Sequence, residues 1–454
     1  MTTEGQMILG LVVGIFALIL LVLKTKVHVF PALIIASALT GIIGGMPAID
    51  VVDSITSGFG STIGSIGIVI GFGVMLGRVL EVSGAAERLA FTLLKWLGKR
   101  KEEWAMAITG YIVSIPIFVD SAFVILAPLI KALSTKTGKS IVSLGVALGV
   151  GLIVTHHAVP PTPGPLGVAG IFGVDIGQMI LSGLIFGIPL IIVGVYYAKW
   201  IGKKIYQLPD ETGLGWKRPE KPESFAEYVN MEESKDLPSL FKSITPILLP
   251  IVLIFMNTGL SAGGLNDGVY EYLQFIGSPV IAVGIGLVVA IYTLFNHLKR
   301  SDALDRMEEG ISSAGIILLV TGAGGALGTI LRNSGTGDYL AELVASLPLP
   351  AILIPFFVAS IVRLIQGSGT VAMITSASIT APILANMDVN MLLAAQAATL
   401  GALVFSYFND SGFHVITRLM GVRNVKEQIM VWSIPMTLIW GVSLVMLLIA
   451  NMIF

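Results

Sequence analysis

Apolar residues in this chain come in long runs separated by short polar stretches. Met7–Leu23, Ile176–Tyr197 and Val431–Phe454 are long enough, as helices, to cross a hydrocarbon core of roughly 30 Å. The ~10-residue alternating segments of a membrane β-barrel are missing from the pattern. The runs predict spans at 7–23, 28–46 and 62–82, an interrupted apolar stretch at 102–130, a helix that breaks near 155–165, and a closing span. A polar linker, 203–238, holds the densest charge and reads as a solvent loop. The order then returns: spans at 241–258, 278–296 and 313–332, an interrupted stretch at 350–384, a break near 405–413, and a closing span. The chain divides into an N-terminal half (1–202), the linker, and a C-terminal half (239–454) of an all-α polytopic membrane protein. Met7–Leu23 lacks a basic flank and a small-residue cleavage site before and after it, and is expected to be a retained span.

The return of the order is also a return of residues. Gly71, Gly73, Gly77, Ser83 and Gly84 recur as Gly322, Gly324, Gly328, Ser334 and Gly335, a constant offset of 251. Ala127-Pro128 recurs as Ala381-Pro382, and Gly164, Gly173 and Val174 recur as Gly412, Gly421 and Val422. A repeat inside a membrane chain is the usual architecture of a secondary transporter, with the solute site where the copies meet. Lys24 and Lys26, the cluster Lys95 to Lys101, Lys131 to Lys139, Lys199 to Lys204, His297–Arg300 and Arg418 to Lys426 belong on the cytoplasmic side. Loops 47–61, 158–175 and 259–277 carry no Lys or Arg and belong outside, which puts the N-terminus outside and the linker inside. Residues 102–130 are bracketed by cytoplasmic lysines, yet are too short to cross twice at about 1.5 Å per residue. They are expected to form a re-entrant hairpin with its tip near Asp120. Its counterpart, 350–384, enters from the opposite face with its tip near Ser368-Gly369-Thr370, so the two repeats are inverted.

Composition narrows the chemistry. Only 12% of residues are charged, against about 25% in a typical soluble domain, and 55% are hydrophobic. A net charge of −1 gives no handle for nucleic acid. With no cysteine, thiol catalysis, thiolate metal sites and disulfides are excluded. No metal or other cofactor is expected.

Four polar interruptions carry the candidate chemistry, because polar backbone at membrane depth is tolerated only where protein or a wet cavity surrounds it. The first is Asp120-Ser121. An Asp at a span centre costs about 2.5–3.5 kcal/mol on the insertion scale, which makes it a functional candidate. The second is THHAVPPTPGP, Thr155 to Pro165, whose prolines break the helix and free backbone groups. Thr155 and Thr162 offer hydroxyls, and His156 or His157 a proton-carrying imidazole. A zinc site has no third ligand nearby. The third runs from Arg363 to Pro382. Ser368, Gly369 and Thr370 present amides and hydroxyls at a helix start suited to an anion, and Arg363 is a carboxylate partner or a residue that snorkels from the hairpin base. The fourth is FSYFNDSGF, with Asn409, Asp410 and Ser411. The glycine strings at 71–77 and 322–328 read as close helix packing and lack the context of a nucleotide loop.

Taken together, VTHHAVPPTPGP, RLIQGSGTVAMITSASITAPIL, FSYFNDSGF and GFGVMLGRVLEVSGAAERLA resemble the gluconate permease family of bacterial hydroxy-acid transporters, over nearly the whole length. The resemblance implies import of gluconate or related sugar acids, commonly with protons. The family's relatives include transporters of fructuronate and D-serine. It also implies a homodimer in the inner membrane, in which a hairpin-bearing domain moves as an elevator against a scaffold. The chain differs from the family pattern at Asp120-Ser121-Ala122, His156-His157 and Thr162. The resulting expectation is a symporter of a small hydroxycarboxylate. Ser121, Thr155, Thr162, Arg363, Ser368, Gly369, Thr370, Asn409 and Ser411 bind the solute, and Asp120, His156 and Asp410 handle the proton. Sodium coupling is the alternative. An intramembrane aspartyl protease built on Asp120 and Asp410 is the remote one, and Gly335-Thr336-Gly337-Asp338 fits its signature only in an outward loop.

Overall fold

The computed structural model describes residues 3–25, 27–97, 101–210, 215–219, 237–265, 267–295, 300–336, 350–407 and 410–453. The first half opens with α1 (Thr3–Lys24), α2 (Val29–Ile43), α3 (Ala48–Val82) and α4 (Ala85–Leu97). α5 (Glu102–Val113) and α6 (Val119–Thr137) follow, then α7 (Ile141–Ala158), α8 (Pro163–Phe172) and α9 (Ile176–Lys204). A short ribbon, β1 (Leu208–Pro209) with β2 (Trp216–Lys217), lies in the linker. The second half has α10 (Leu240–Ala262), α11 (Val269–Gly277), α12 (Pro279–Leu294) and α13 (Arg300–Asn333). It ends with α14 (Leu353–Gln366), α15 (Gly369–Leu384), α16 (Met391–Gly401), α17 (Ser411–Leu419), and α18 (Val425–Gln428), which runs through a π-helical turn (Ile429–Ser433) into α19 (Ile434–Ile453).

The packing follows the repeat. α1 packs on α2 as α10 packs on α12. α2 crosses to α13 as α12 crosses to α3, and α3 and α13 lie along each other. α5 packs on α7 as α14 packs on α16, and α7 lies on α9 as α16 lies on α19. Among the other contacts between the halves, α6 reaches α17, and α15 reaches α8. Both crossing helices carry the repeated internal proline, Pro128 in α6 and Pro382 in α15.

Several sequence expectations are corrected by these elements. Residues 48–61, expected as a loop, form the first part of α3. One face packs tightly: a Cβ on Gly58 would collide with Thr329 and with the Gly325 carbonyl on α13. α13 likewise begins at Arg300, well before position 313. The break at 158–175 holds α8, and 259–277 holds α11. The first hairpin turns at 114–118, so Asp120 sits in the first turn of α6, one step past the tip. The second turns at Gly367-Ser368: Gly367 has a φ of 85°, which ends α14, and the Ser368 hydroxyl accepts from the Val371 N–H to start α15. At 12 and 14 residues, α5 and α14 fall short of the roughly 20 residues that a crossing helix needs.

Among the described residues, Ile141–Phe172, Ile176–Lys204, Leu240–Ser261 and Val425–Ile453 are long and apolar enough to cross a membrane. α7 is buried along its whole length. A helix apolar all round and enclosed by neighbours belongs to a protein interior. α10 and α9, by contrast, keep large exposed apolar side chains such as Phe241, Val252, Ile185 and Ile188.

The described part of the linker is docked, where a free loop was expected. Gln207 donates to the Met420 carbonyl at 2.7 Å, and Arg218 holds Glu427 at 2.7 Å. The Trp216 indole lies against Gly421, where an added Cβ would strike the ring. Gly421 also ends α17 with a φ of 73°, a left-handed conformation that costs a side chain energy. Gly421→Ala is expected to lower stability by about 1–3 kcal/mol and to expose the linker to protease. Thermal unfolding and limited proteolysis of the purified protein in detergent check this.

Candidate functional site

Five helix ends converge between the halves. α6, α15 and α17 start there, and α7 and α14 finish there. Among them lies a cavity of about 390 Å3. α6 contributes Phe118, Val119 and Asp120, and α7 contributes Ile153, His156 and His157. The second hairpin supplies Arg363 and Gly367 to Thr370, and the second break supplies Asp410 and Gly412. Trp432, from the π-helical turn, closes one side.

Arg363 is the central charge. It sits in the last turn of α14 and is only 4% exposed. An unpaired charge at that depth costs several kcal/mol, so its partners define the site. Nη1 donates to the Gly367 carbonyl at the hairpin tip. Nη2 donates to Asp410 Oδ2 at 2.6 Å. Nε has no hydrogen-bond partner among the described residues. Asp410 is the N-cap of α17: its Oδ1 accepts the Gly412 N–H at 3.1 Å, and its Oδ2 also accepts the Ser406 hydroxyl at 2.5 Å.

Asp120 approaches the same helix start from α6. A Cβ on Gly412 would lie 3.0 Å from Asp120 Oδ1, and 3.7 Å and 3.8 Å from the two Asp410 oxygens. The missing side chain at Gly412 lets carboxylates from different halves approach the same helix start. The imidazoles stand on the far wall. The His156 ring lies between Phe118, at 5.8 Å, and His157, at 5.7 Å. His157 Nδ1 donates to the Ile153 carbonyl at 3.1 Å, and its Nε2 packs against Gly369.

Of the predicted residues, Asp120, His156, Arg363, Ser368, Gly369, Thr370 and Asp410 are brought together around the cavity. Thr155 and Thr162 lie outside it. The Thr155 hydroxyl donates to the Tyr111 carbonyl on α5 at 2.7 Å, and that of Thr162 to the Val159 carbonyl at the break at 2.6 Å, so each satisfies a backbone carbonyl. Ser121 borders a neighbouring vestibule of about 720 Å3. Asn409 lies outside the described residues. Ser411 begins α17. Trp432, Ser406 and Gly412 were missed by the sequence reading. Trp432 is buried in an apolar run read as a span, and Ser406 flanks the Asn/Asp segment.

The vestibule is larger than the cavity, but its arginine is already paired with carboxylates. Arg78 bridges Glu81 at 2.6 Å and Glu309 across α3 and α13. Phe118 borders both spaces. The smaller cavity has the buried arginine, the paired acids and three helix starts, the last of which add positive partial charge.

The whole arrangement has close relatives. The family model of the GntP family permeases matches residues 6–453. The chain belongs to the GntP family of permeases. It is 53% identical to an uncharacterized permease of Haemophilus influenzae, over 98% of this chain and 92% of that one. A gluconate permease of Pseudomonas aeruginosa is 32% identical, over 100% and 99% of the two chains. A D-serine transporter of Escherichia coli is 35% identical, over 90% and 91%. Among solved structures, the YdaH transporter of Alcanivorax borkumensis aligns with a TM-score of 0.58 at 15% identity, covering 87% of each chain. The protein is a multi-pass membrane permease, not an enzyme, and the protease alternative is set aside.

Within this GntP permease, Gly369 marks a close approach between the second hairpin and the end of α7. A Cβ there would run into His157 Nε2 and lie 3.5 Å from Arg363 Nη1. Gly369→Ala is expected to reduce solute binding about tenfold or more, the effect of an overpacking cost of about 1–3 kcal/mol, while the protein still purifies as a folded species. Ligand-induced thermal shift, beside size-exclusion chromatography, checks both halves of that expectation.

Proposed function

We propose that the permease is a proton-coupled symporter that imports a small hydroxycarboxylate, gluconate or a related sugar acid, across the bacterial inner membrane. The observation that carries the reading is the buried Arg363, held between a hairpin tip and the start of α17 and open to a closed-in polar cavity. A guanidinium beside converging helix starts suits a carboxylate. The amides and hydroxyls of Ser368 to Thr370 extend the anion site, and Asn409 and Ser411 bond the polar chain of the solute. Thr155, Thr162 and Ser121 serve the site indirectly, by shaping the break and the approach.

Charge balance favours a proton. Asp120 and Asp410 face one helix start, and Arg363 pairs with Asp410 there. With both acids ionised, the three groups sum to −1, and a substrate carboxylate would make the buried sum −2. Such a charge is strongly disfavoured in a site of low dielectric. A proton on Asp120 or Asp410, relayed by His156, restores the balance. One proton with one monoanion moves no net charge, so a pH gradient rather than voltage drives a one-to-one cycle. In this reading the halves are inverted repeats, the hairpins enter from opposite faces, and the protein works as a homodimeric elevator with its N-terminus outside and its linker cytoplasmic. The family's D-serine transporter makes a zwitterionic amino acid the alternative solute.

Uptake of labelled D-gluconate into proteoliposomes is expected to follow an imposed pH gradient with sodium absent. Uptake that ignores pH and requires sodium overturns the proton assignment. Asp120→Asn and Asp410→Asn are each expected to abolish pH-driven accumulation, and Arg363→Ala to weaken binding about 100-fold, as loss of a hydrogen-bonded charge pair implies. A cysteine replacing Thr212 is expected to resist membrane-impermeant reagents in intact cells, and labelling from outside would reverse the topology.

A further inference from the structure

The break that carries Asp410 is tied to the far end of the chain by a set of buried hydrogen bonds that solute binding does not itself require. Trp432 Nε1 donates to Ser406 Oγ at 3.0 Å. The adjacent Ser433 hydroxyl donates to the Ser406 carbonyl at 2.5 Å. Tyr197 on α9 donates to the Met430 carbonyl at 2.5 Å, one turn earlier. Met430, Trp432 and Ser433 all belong to the π-helical turn between α18 and α19. π-helical turns are rare and are found disproportionately at functional sites. Ser406 passes the connection on, its own proton going to Asp410 Oδ2, the same oxygen that receives Arg363 Nη2. Ser406, Trp432 and Ser433 are all at most 2% exposed, so no bulk water competes.

We propose that Ser406 is a positioning residue for the permease site. It takes the Trp432 N–H on one side, donates to Asp410 on the other, and thereby fixes the carboxylate that aims Arg363 into the cavity. The carboxylate alone has rotational freedom about its own side chain. The Gly412 N–H holds one oxygen, and Arg363 and Ser406 together hold the other. Removing the Ser406 hydroxyl leaves the Trp432 N–H without an acceptor and the shared oxygen with the arginine alone. Arg363 then loses its preorganisation toward a solute carboxylate, which is where fixed geometry yields affinity. The assignment of a role in solute binding rests on the proposed function. The positioning of Arg363 does not.

The test reads Arg363 directly. Phenylglyoxal, an arginine reagent, is added to purified permease, and modification of Arg363 is followed by peptide mass spectrometry. Ser406→Ala is expected to raise the labelling rate at Arg363 about tenfold, the scale of a lost hydrogen bond to a charged group. Ser406→Thr keeps the hydroxyl and the wild-type rate. Trp432→Phe, which removes the N–H but keeps a ring, gives a smaller rise. Asp410→Asn labels as fast as Ser406→Ala, and the double variant is no faster than Asp410→Asn, since both act through one carboxylate. A general loosening of the fold raises labelling at Arg78 as well, whereas a positioning role leaves Arg78 unchanged. A wild-type rate at Arg363 in Ser406→Ala, or single effects that multiply in the double variant, overturns the proposal. Protection of wild-type Arg363 by D-gluconate belongs to a separate arm. Its absence would sink the sugar-acid reading and leave Ser406 to be judged by the rates alone.

Discussion

A buried arginine dictates much of this architecture. Once Arg363 is withdrawn from water, its charge must be met by groups that are themselves held in place. A hairpin tip supplies a carbonyl from Gly367, and a broken helix supplies the Asp410 carboxylate. Neither partner exists in a regular helix: Gly367 requires the chain to reverse, and Asp410 can cap α17 only because the helix before it has stopped. The interruptions are therefore the condition for placing a paired charge at depth, and the surrounding helices are arranged to shield them.

That shielding depends on close approach. α7 and α5 come together where a Cβ on Gly110 would touch the Leu148 carbonyl, and α14 and α16 do so where Gly401 faces Phe356. Buried hydroxyls take up carbonyls at the breaks and bends, as Thr155 does for Tyr111 and Ser360 for Gly401. Gln396 reaches across the halves to the Ala158 carbonyl, at the end of α7, at 3.3 Å. Small residues bring backbones near, and carbonyls at the breaks and bends, such as those of Tyr111, Ala158 and Gly401, meet side chains from neighbours. The repeat makes the strategy available twice, with different polar residues at the two tips.

The helix order was legible because apolar run length and repeated glycines are properties of sequence windows. The turns at 114–118 and at Gly367-Ser368, and the breaks after them, fall inside the interrupted stretches those windows mark. The windows failed where a glycine-rich helix resembled a loop: residues 48–61 are helical and meet α13 at Gly58, a tertiary contact with no local signature. The same limit applies to the site. Arg363, Asp120 and Asp410 were visible as polar residues in apolar surroundings. Thr155 and Thr162 shared that visibility, but their hydroxyls are taken up by backbone carbonyls, of Tyr111 on α5 and of Val159 beside the break. Trp432 and Ser406 were hidden because a tryptophan in an apolar span and a serine near a loop look ordinary until the chain brings them into contact.

The enclosure of α7 has a consequence for the membrane around it. A helix that touches lipid must adapt its tilt or its flanks to the thickness of the bilayer. α7 is surrounded by protein throughout, so the histidines at its end keep their depth relative to Arg363 whatever the lipid. The adjustment falls on helices such as α10 and α9, whose apolar side chains face outward. The permease thus separates the part that must match its membrane from the part that must match its solute. The first can drift in sequence with the lipids of the host, while the second is held to its own neighbours.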